Sequence, residues 1–262
     1  MKKILILLLA WGFFMPWGST QSTLQPRQLD SDDKGIIYDK ELTFDARFHT
    51  NGLAFAVNYG RIKTYYLTKY YHFELGRISH PKEFKQSYDI PNINSPGNSR
   101  SFIFGKQNDF FVLRAGYGIK RYYSEKAKKR GLAVGMTYEF GPSLGILKPY
   151  YLEFNRVQDN TNNPIIVSER YTPETEASFL NVNTIHGAAP FTKGLGEISV
   201  IPGIHAKIAA HFDWGAFDEF VKAIEAGIMI DVYPKKVPIM VSEENRPFFV
   251  NLYLSLQLGK RW

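Results

Sequence analysis

His72 and Glu74 stand two residues apart in a stretch whose side chains alternate between polar and apolar. Residues i and i+2 of a strand leave the same face, so an imidazole and a carboxylate placed this way are half of an acid–base catalytic set. Acyl transfer also needs a nucleophile, and Ser79 would supply one if the strand ended beside it. His211 and Asp213 repeat the spacing on another stretch. The competing reading of both pairs is structural, an ion pair inside the fold, and it is the favoured one. No histidine–carboxylate spacing resembles a zinc site, and His186 stands alone in a loop segment. Gly116-Tyr-Gly118 reads as relief of crowding on a strand face, and Thr172-Pro-Glu-Thr-Glu176 as a solvated acidic loop. The sequence therefore predicts no catalytic residue, no metal and no cofactor. His72, Glu74 and Ser79 are the candidates should the protein be an enzyme.

Strands must hold those residues. Alternating segments separated by turn chemistry recur at about 36–48, 53–60, 65–78, 111–119, 132–140, 204–212, 224–232 and 248–258. The fifth is expected to continue, bent at Gly141-Pro142, to about Phe154. Thr50-Asn51-Gly52 marks a tight turn. Long polar connections at about 80–109 and 155–196, and a Pro-bearing one at 234–247, contrast with short links near Ile62, Glu125 and Trp214. Eight strands with short turns at one end and long loops at the other predict a transmembrane antiparallel up-and-down β-barrel. His211 and Asp213 fall at the short-turn end, which favours the structural reading of that pair.

The rest of the chain agrees. Hydrophobic residues make up 44% and no second run of about twenty apolar residues follows the first one. Lys2-Lys3 and the apolar run from Ile4 to Phe14 read as a secretory signal over residues 1–20, with a periplasmic segment at 21–35. There is no cysteine, hence no disulfide framework and no lipid-modified thiol. Removing Lys2 and Lys3 lowers the formal charge from +7 to +5, a mild excess suited to lipopolysaccharide. The basic residues are not clustered as nucleic-acid recognition requires, so no nucleic acid is expected.

A soluble barrel also alternates, so the content of each face decides. The polar face combines glycines (Gly60, Gly76, Gly116, Gly118, Gly135, Gly227) with charge. Long charged side chains without glycine would suit a water-facing exterior, whereas an eight-stranded interior has room for little beyond its own side chains. Asp45, Glu74, Glu139, Glu225 and Asp231 are expected to pair inside with Arg47, Arg114 and Lys207, with His72 and His205 between them, because buried charges persist only when paired. The interior is therefore expected to be closed. Lys40, Lys222 and Lys260, on the apolar face near strand ends, can snorkel; Lys69 lies further up and fits less well. The Tyr65-Tyr66, Tyr70-Tyr71, Tyr122-Tyr123 and Tyr150-Tyr151 pairs read as interface girdles.

The last segment alternates most strictly, with Leu252, Leu254, Leu256 and Leu258 on one face. Its ending, Gln257-Leu-Gly259-Lys-Arg-Trp262, resembles the C-terminal signal read by the barrel-insertion machinery. Phe110-Phe-Val-Leu-Arg-Ala-Gly-Tyr-Gly118 through Gly141-Pro-Ser-Leu-Gly-Ile-Leu-Lys-Pro-Tyr-Tyr151-Leu-Glu153 resembles small outer-membrane β-barrels of Bacteroidota, over about residues 35–262. The resemblance implies the barrel fold and a bacterial outer membrane, and transfers no catalytic residue; the asymmetry of loop lengths is what places both termini in the periplasm. The expected partners are outer-membrane lipid and lipopolysaccharide, the insertion machinery during biogenesis, and an envelope protein complex met by the long outer loops. A non-enzymatic barrel acting through its outer loops, as an accessory subunit of a secretion, insertion or uptake machine, is the expected function. The alternatives are a lipid A-modifying enzyme and a narrow transporter of hydrophobic ligands.

Overall fold

A computed structural model describes residues 38–87, 100–124, 131–157, 164–216, 218–241 and 244–262. The expected signal and N-terminal segments, most of the charged turn at 124–130, and part of each long connection lie outside the described residues.

The described residues begin with β1 (Lys40–His49), β2 (Gly52–Thr64) and β3 (Leu67–Ile78). Two short strands, β4 (Lys85–Gln86) and β5 (Phe102–Ile103), pair with each other before β6 (Asn108–Tyr122) and β7 (Ala133–Pro149). Next come β8 (Tyr151–Val157), β9 (Pro164–Arg170) and β10 (Ile185–Ala188), a separate sheet in the order β10-β8-β9. β11 (Ser199–Asp213), β12 (Phe220–Val232) and β13 (Phe248–Arg261) complete the series.

Eight of these strands close into a barrel in the order β1-β13-β12-β11-β7-β6-β3-β2. Every neighbouring pair is antiparallel, and every neighbour except the closing β1–β13 pair is consecutive among the barrel strands. Paired positions run from Leu42 through Tyr59, Tyr71, Tyr117, Phe140, Ala206, Ile230 and Val250, and the β13–β1 register returns the row ten residues above its start. Such a stagger over eight strands tilts them by about 40°, and leaves an interior that side chains fill. At the closing seam, a Cβ on Gly259 would collide with the Leu42 carbonyl oxygen, so the close approach of β13 to β1 needs glycine there.

Outward positions are apolar and bare: Phe44 is 58% exposed, Phe73 64%, Phe140 61% and Leu252 59%. Their chain neighbours point inward and are buried, Asp45, His72, Glu139 and Asn251 among them. An apolar belt running round the whole barrel far exceeds the patches that soluble proteins expose. Facing lipid, it costs nothing, and the closed ladder leaves no unpaired strand edge in the bilayer. The protein is a transmembrane antiparallel β-barrel.

Three expectations need correction. The fifth barrel strand stops at Pro149, and residues 151–157 join the separate sheet instead of continuing the wall. The connection expected as a polar loop at 155–196 holds β9, β10 and a short helix, Glu176–Phe179. The tyrosine pairs do not all lie in a girdle: Tyr70 and Tyr122 are buried inside while Tyr71 and Tyr123 face out. A strand sends adjacent residues to opposite faces, so only one of Tyr70 and Tyr71 can meet lipid, whereas Tyr65 and Tyr66 lie in the turn between β2 and β3.

Candidate functional site

The interior is filled in three levels. Nearest the chain ends and short turns, Lys120 Nζ donates to Glu41 Oε1 at 2.8 Å. Arg261 donates from Nε to Glu41 (3.1 Å) and from Nη2 to Asp213 (2.8 Å), while its Nη1 reaches the Gly215 carbonyl at 2.6 Å. Tyr122 Oη donates to Asp213 Oδ2 at 2.9 Å and lies 3.4 Å from His211 Nε2. His211 and Asp213 thus sit in a charged cap, fully buried, rather than at an open surface.

At mid-height, Lys207 Nζ lies 2.7 Å from Glu139 and 3.8 Å from Glu225. His205 Nε2 is 3.2 Å from Glu139, and Tyr70 Oη donates to the same carboxylate at 3.1 Å. Gln257 Nε2 donates to Asp45 (3.0 Å) and Glu225 (3.1 Å), Thr137 hydrogen-bonds Glu225, and Asn58 Nδ2 donates to Asp45 at 2.9 Å. Above them Arg114 holds Asp231 with Nε at 2.7 Å and Nη2 at 2.8 Å, and pairs with Glu74 through Nη1. Arg47 pairs with the same Glu74, lies 3.7 Å from Asp45 and stacks over the Tyr253 ring at 4.7 Å. The structure therefore brings Asp45, Arg47, Glu74, Arg114, Glu139, Lys207, Glu225 and Asp231 into one network. Both guanidinium groups are fully buried.

His72 and Glu74 meet inside this network, with Nε2 3.3 Å from Glu74 and from Glu139, and Nδ1 2.5 Å from Asn58 Oδ1. Ser79 does not join them. It lies past the loop end of β3, seven residues from His72 or about 23 Å of extended chain. The imidazole is walled off from lipid by the strand that carries it, so no substrate ester can reach it there. Among the described residues no group of three His, Asp or Glu could hold a metal ion.

The third level is apolar and comes from a segment with no strand pattern. Val237, Ile239 and Met240, in the β12–β13 connection, are buried against Ile78, Phe110, Val112, Leu147 and Ile201 at the barrel mouth. Asn245 pins the segment, its Oδ1 accepting from the Ile239 (2.9 Å) and Met240 (3.2 Å) amides. Gln107 and Asn108 amides donate to the Ile239 carbonyl, and Asn108 Nδ2 donates to Pro238 O at 2.7 Å. This connection is a plug. Its apolar run Val237-Pro-Ile-Met-Val241 is the only sequence signal it carries.

The wall is also closed. Pro142 and Pro202 each remove a ladder donor from β7 and β11, and β6–β7 pairing skips Ala115 and Gly116. Yet a Cβ on Gly141 would collide with the Ala115 carbonyl and Gly116 Cα, so the two strands remain in contact. A shallow apolar groove lined by Phe55, Phe73, Leu113 and Pro202 runs along the outside.

Above the mouth, the β8–β10 sheet has its own core of Phe102, Leu152, Phe154, Phe179 and Ile185. Lys106 anchors it to the barrel rim, buried, with Glu83 at 2.7 Å, Asp109 at 2.9 Å and the Tyr150 ring at 5.5 Å. Burial pushes the Tyr150 hydroxyl up to about 12, where it stays protonated and accepts from the Ile103 amide at 3.2 Å. Two apolar segments of this region, Ile165-Ile-Val167 and Phe179-Leu180, have different fates: Phe179 enters the core, whereas Ile165 and Ile166 on the edge strand β9 are exposed. Phe179→Ala should therefore remove about 3–5 kcal/mol from this platform alone. Limited proteolysis is expected to cut between 150 and 198 while the membrane-embedded strands stay intact.

No protein-family model and no curated protein matches the chain. Among solved structures it is similar to Ail, the attachment invasion locus protein of Yersinia pestis, at 9% identity over 86% of this chain and 100% of that one, with a TM-score of 0.39. It is also similar to Neisserial surface protein A (7%, covering 86% and 97%, TM-score 0.39). A third is the N-terminal β-barrel domain of Pseudomonas aeruginosa OprF (6%, covering 86% and 98%, TM-score 0.34).

Proposed function

We propose that the protein is a non-enzymatic barrel of a bacterial outer membrane, with both termini periplasmic, whose outer platform contacts another envelope component. In this reading it serves as an accessory subunit of a secretion, insertion or uptake machine. The observation that carries it is the filling of the interior at every level, which leaves the outer surface as the place to act. The platform suits that role because loops on a rigid scaffold carry recognition disproportionately, and β9 has one edge without a strand partner among the described residues, with Ile165 and Ile166 exposed. Gln257, Gly259 and Trp262 would serve as the insertion signal during biogenesis, and lipopolysaccharide would surround the platform.

Gentle extraction with native neighbours retained, followed by mass spectrometry, tests the reading. The wild-type protein should bring down a reproducible complex, and Ile165→Glu with Ile166→Glu should cut its recovery on the order of tenfold, as loss of a central apolar contact does. Recovery of a lone monomer, or a complex indifferent to both substitutions, contradicts it.

A further inference from the structure

Four cations stand together on the lipid-facing wall at the short-turn end. Lys40, Arg61 and Lys69 are direct cross-strand partners on β1, β2 and β3, and all three point outward. Lys63 follows Arg61 two residues on and also faces out. Like charges directly opposite one another on a sheet repel. At this end Lys260, also outward, pairs with Glu219 at 2.9 Å, and inside the barrel Lys120 and Arg261 pair with Glu41. Outward Arg121 and Lys222 form no ion pair among the described residues either, but each stands alone, opposite Leu67 and Leu258. Here, among the described residues, none of the four forms an ion pair, and Asp39, the chain neighbour of Lys40, pairs with none of them.

The cations line a groove of about 600 Å³ that also includes Tyr59, Tyr71 and Tyr117. Those tyrosines form the next outward row toward mid-membrane, paired across β2, β3 and β6. Beyond them the wall is apolar at Val57 and Phe73. A ligand of this groove thus meets positive charge, then amphipathic rings, then hydrocarbon, in the order that a phospholipid presents phosphate, glycerol and acyl chains.

We infer that this groove is a binding site for an anionic phospholipid of the leaflet at the short-turn end, its phosphate seated among Lys40, Arg61, Lys63 and Lys69. The lipid supplies the counter-charge that the fold withholds, and Lys69, expected from the sequence further up its strand, is the third residue of β3 and reaches the same phosphate. This site lies on the opposite rim from the platform and stands independently of the role proposed for that platform.

The test uses purified protein in nanodiscs of phosphatidylcholine doped with phosphatidylglycerol, released into detergent and weighed by native mass spectrometry. The wild-type protein should retain phosphatidylglycerol over phosphatidylcholine. Arg61→Gln with Lys69→Gln should lower that preference on the order of tenfold. Both positions face lipid, so the heat-dependent gel mobility of the folded barrel should persist; if the pair fails to fold, Lys40→Gln with Lys63→Gln takes its place. Inorganic phosphate at millimolar concentration should not displace the lipid. Equal retention of the two lipids, a variant as selective as wild type, or displacement by free phosphate would each overturn the assignment.

Discussion

Arg114→Met should destabilise the barrel more than any other single interior substitution. The methionine matches much of the arginine's volume but leaves Glu74 with Arg47 and His72, and Asp231 with no cation among its described contacts. Removing one partner of a buried ion pair costs about 3–5 kcal/mol, because the remaining charge stays out of water uncompensated. The urea midpoint for unfolding from detergent micelles reports it. Adding Asp231→Asn to the same protein should recover a sizeable part of the loss, since the orphaned charge is then gone. A midpoint unchanged by Arg114→Met would mean that water, not carboxylates, surrounds the guanidinium.

The second large effect is expected at the plug. Ile239 is buried among apolar side chains at the mouth, and Ile239→Asp would place a carboxylate there without a partner. Desolvating such a charge costs several kcal/mol, more than the hydrogen bonds from Asn108 and Asn245 can hold. The segment 234–247 should therefore leave the mouth and become a protease target. The eight strands should stay folded, because their ladder and their lipid contacts do not involve it. Ile239→Val, which loses one methylene, should cost only about 0.5–1.5 kcal/mol and leave the segment protected.

How far the sequence shows all this depends on the distance over which each feature is specified. β13 is legible because its alternation lies wholly within fourteen residues, and the same period separates Arg47 and Glu74 from their lipid-facing neighbours. Knowing which face a charge occupies is enough to expect a network, since eight strands leave the charges no other company. Of its lower cap only His211 and Asp213 are legible: Glu41, Lys120 and Arg261 lie at strand ends, where alternation fades, and meet only once the barrel closes on itself. The plug and the platform are illegible for a different reason. Val237, Ile239 and Met240 have no period of their own, and the surface they cover is assembled from β3, β6, β7 and β11. Likewise nothing local marks Pro149-Tyr150 as the point where the chain leaves the barrel wall. His72, Glu74 and Ser79 show the converse limit: spacing along one strand is compatible with a catalytic set as well as with the favoured ion pair, and three-dimensional placement is what separates the serine from the imidazole.

The central claim is a polar core sealed inside a wall that faces lipid. Single-protein recording in a planar bilayer tests it directly. The purified protein should insert and show no large, steady aqueous conductance at moderate voltage, and Ile239→Asp should not create one, because the charged levels beneath the plug remain in place. A stable open channel in the wild-type protein would contradict the account.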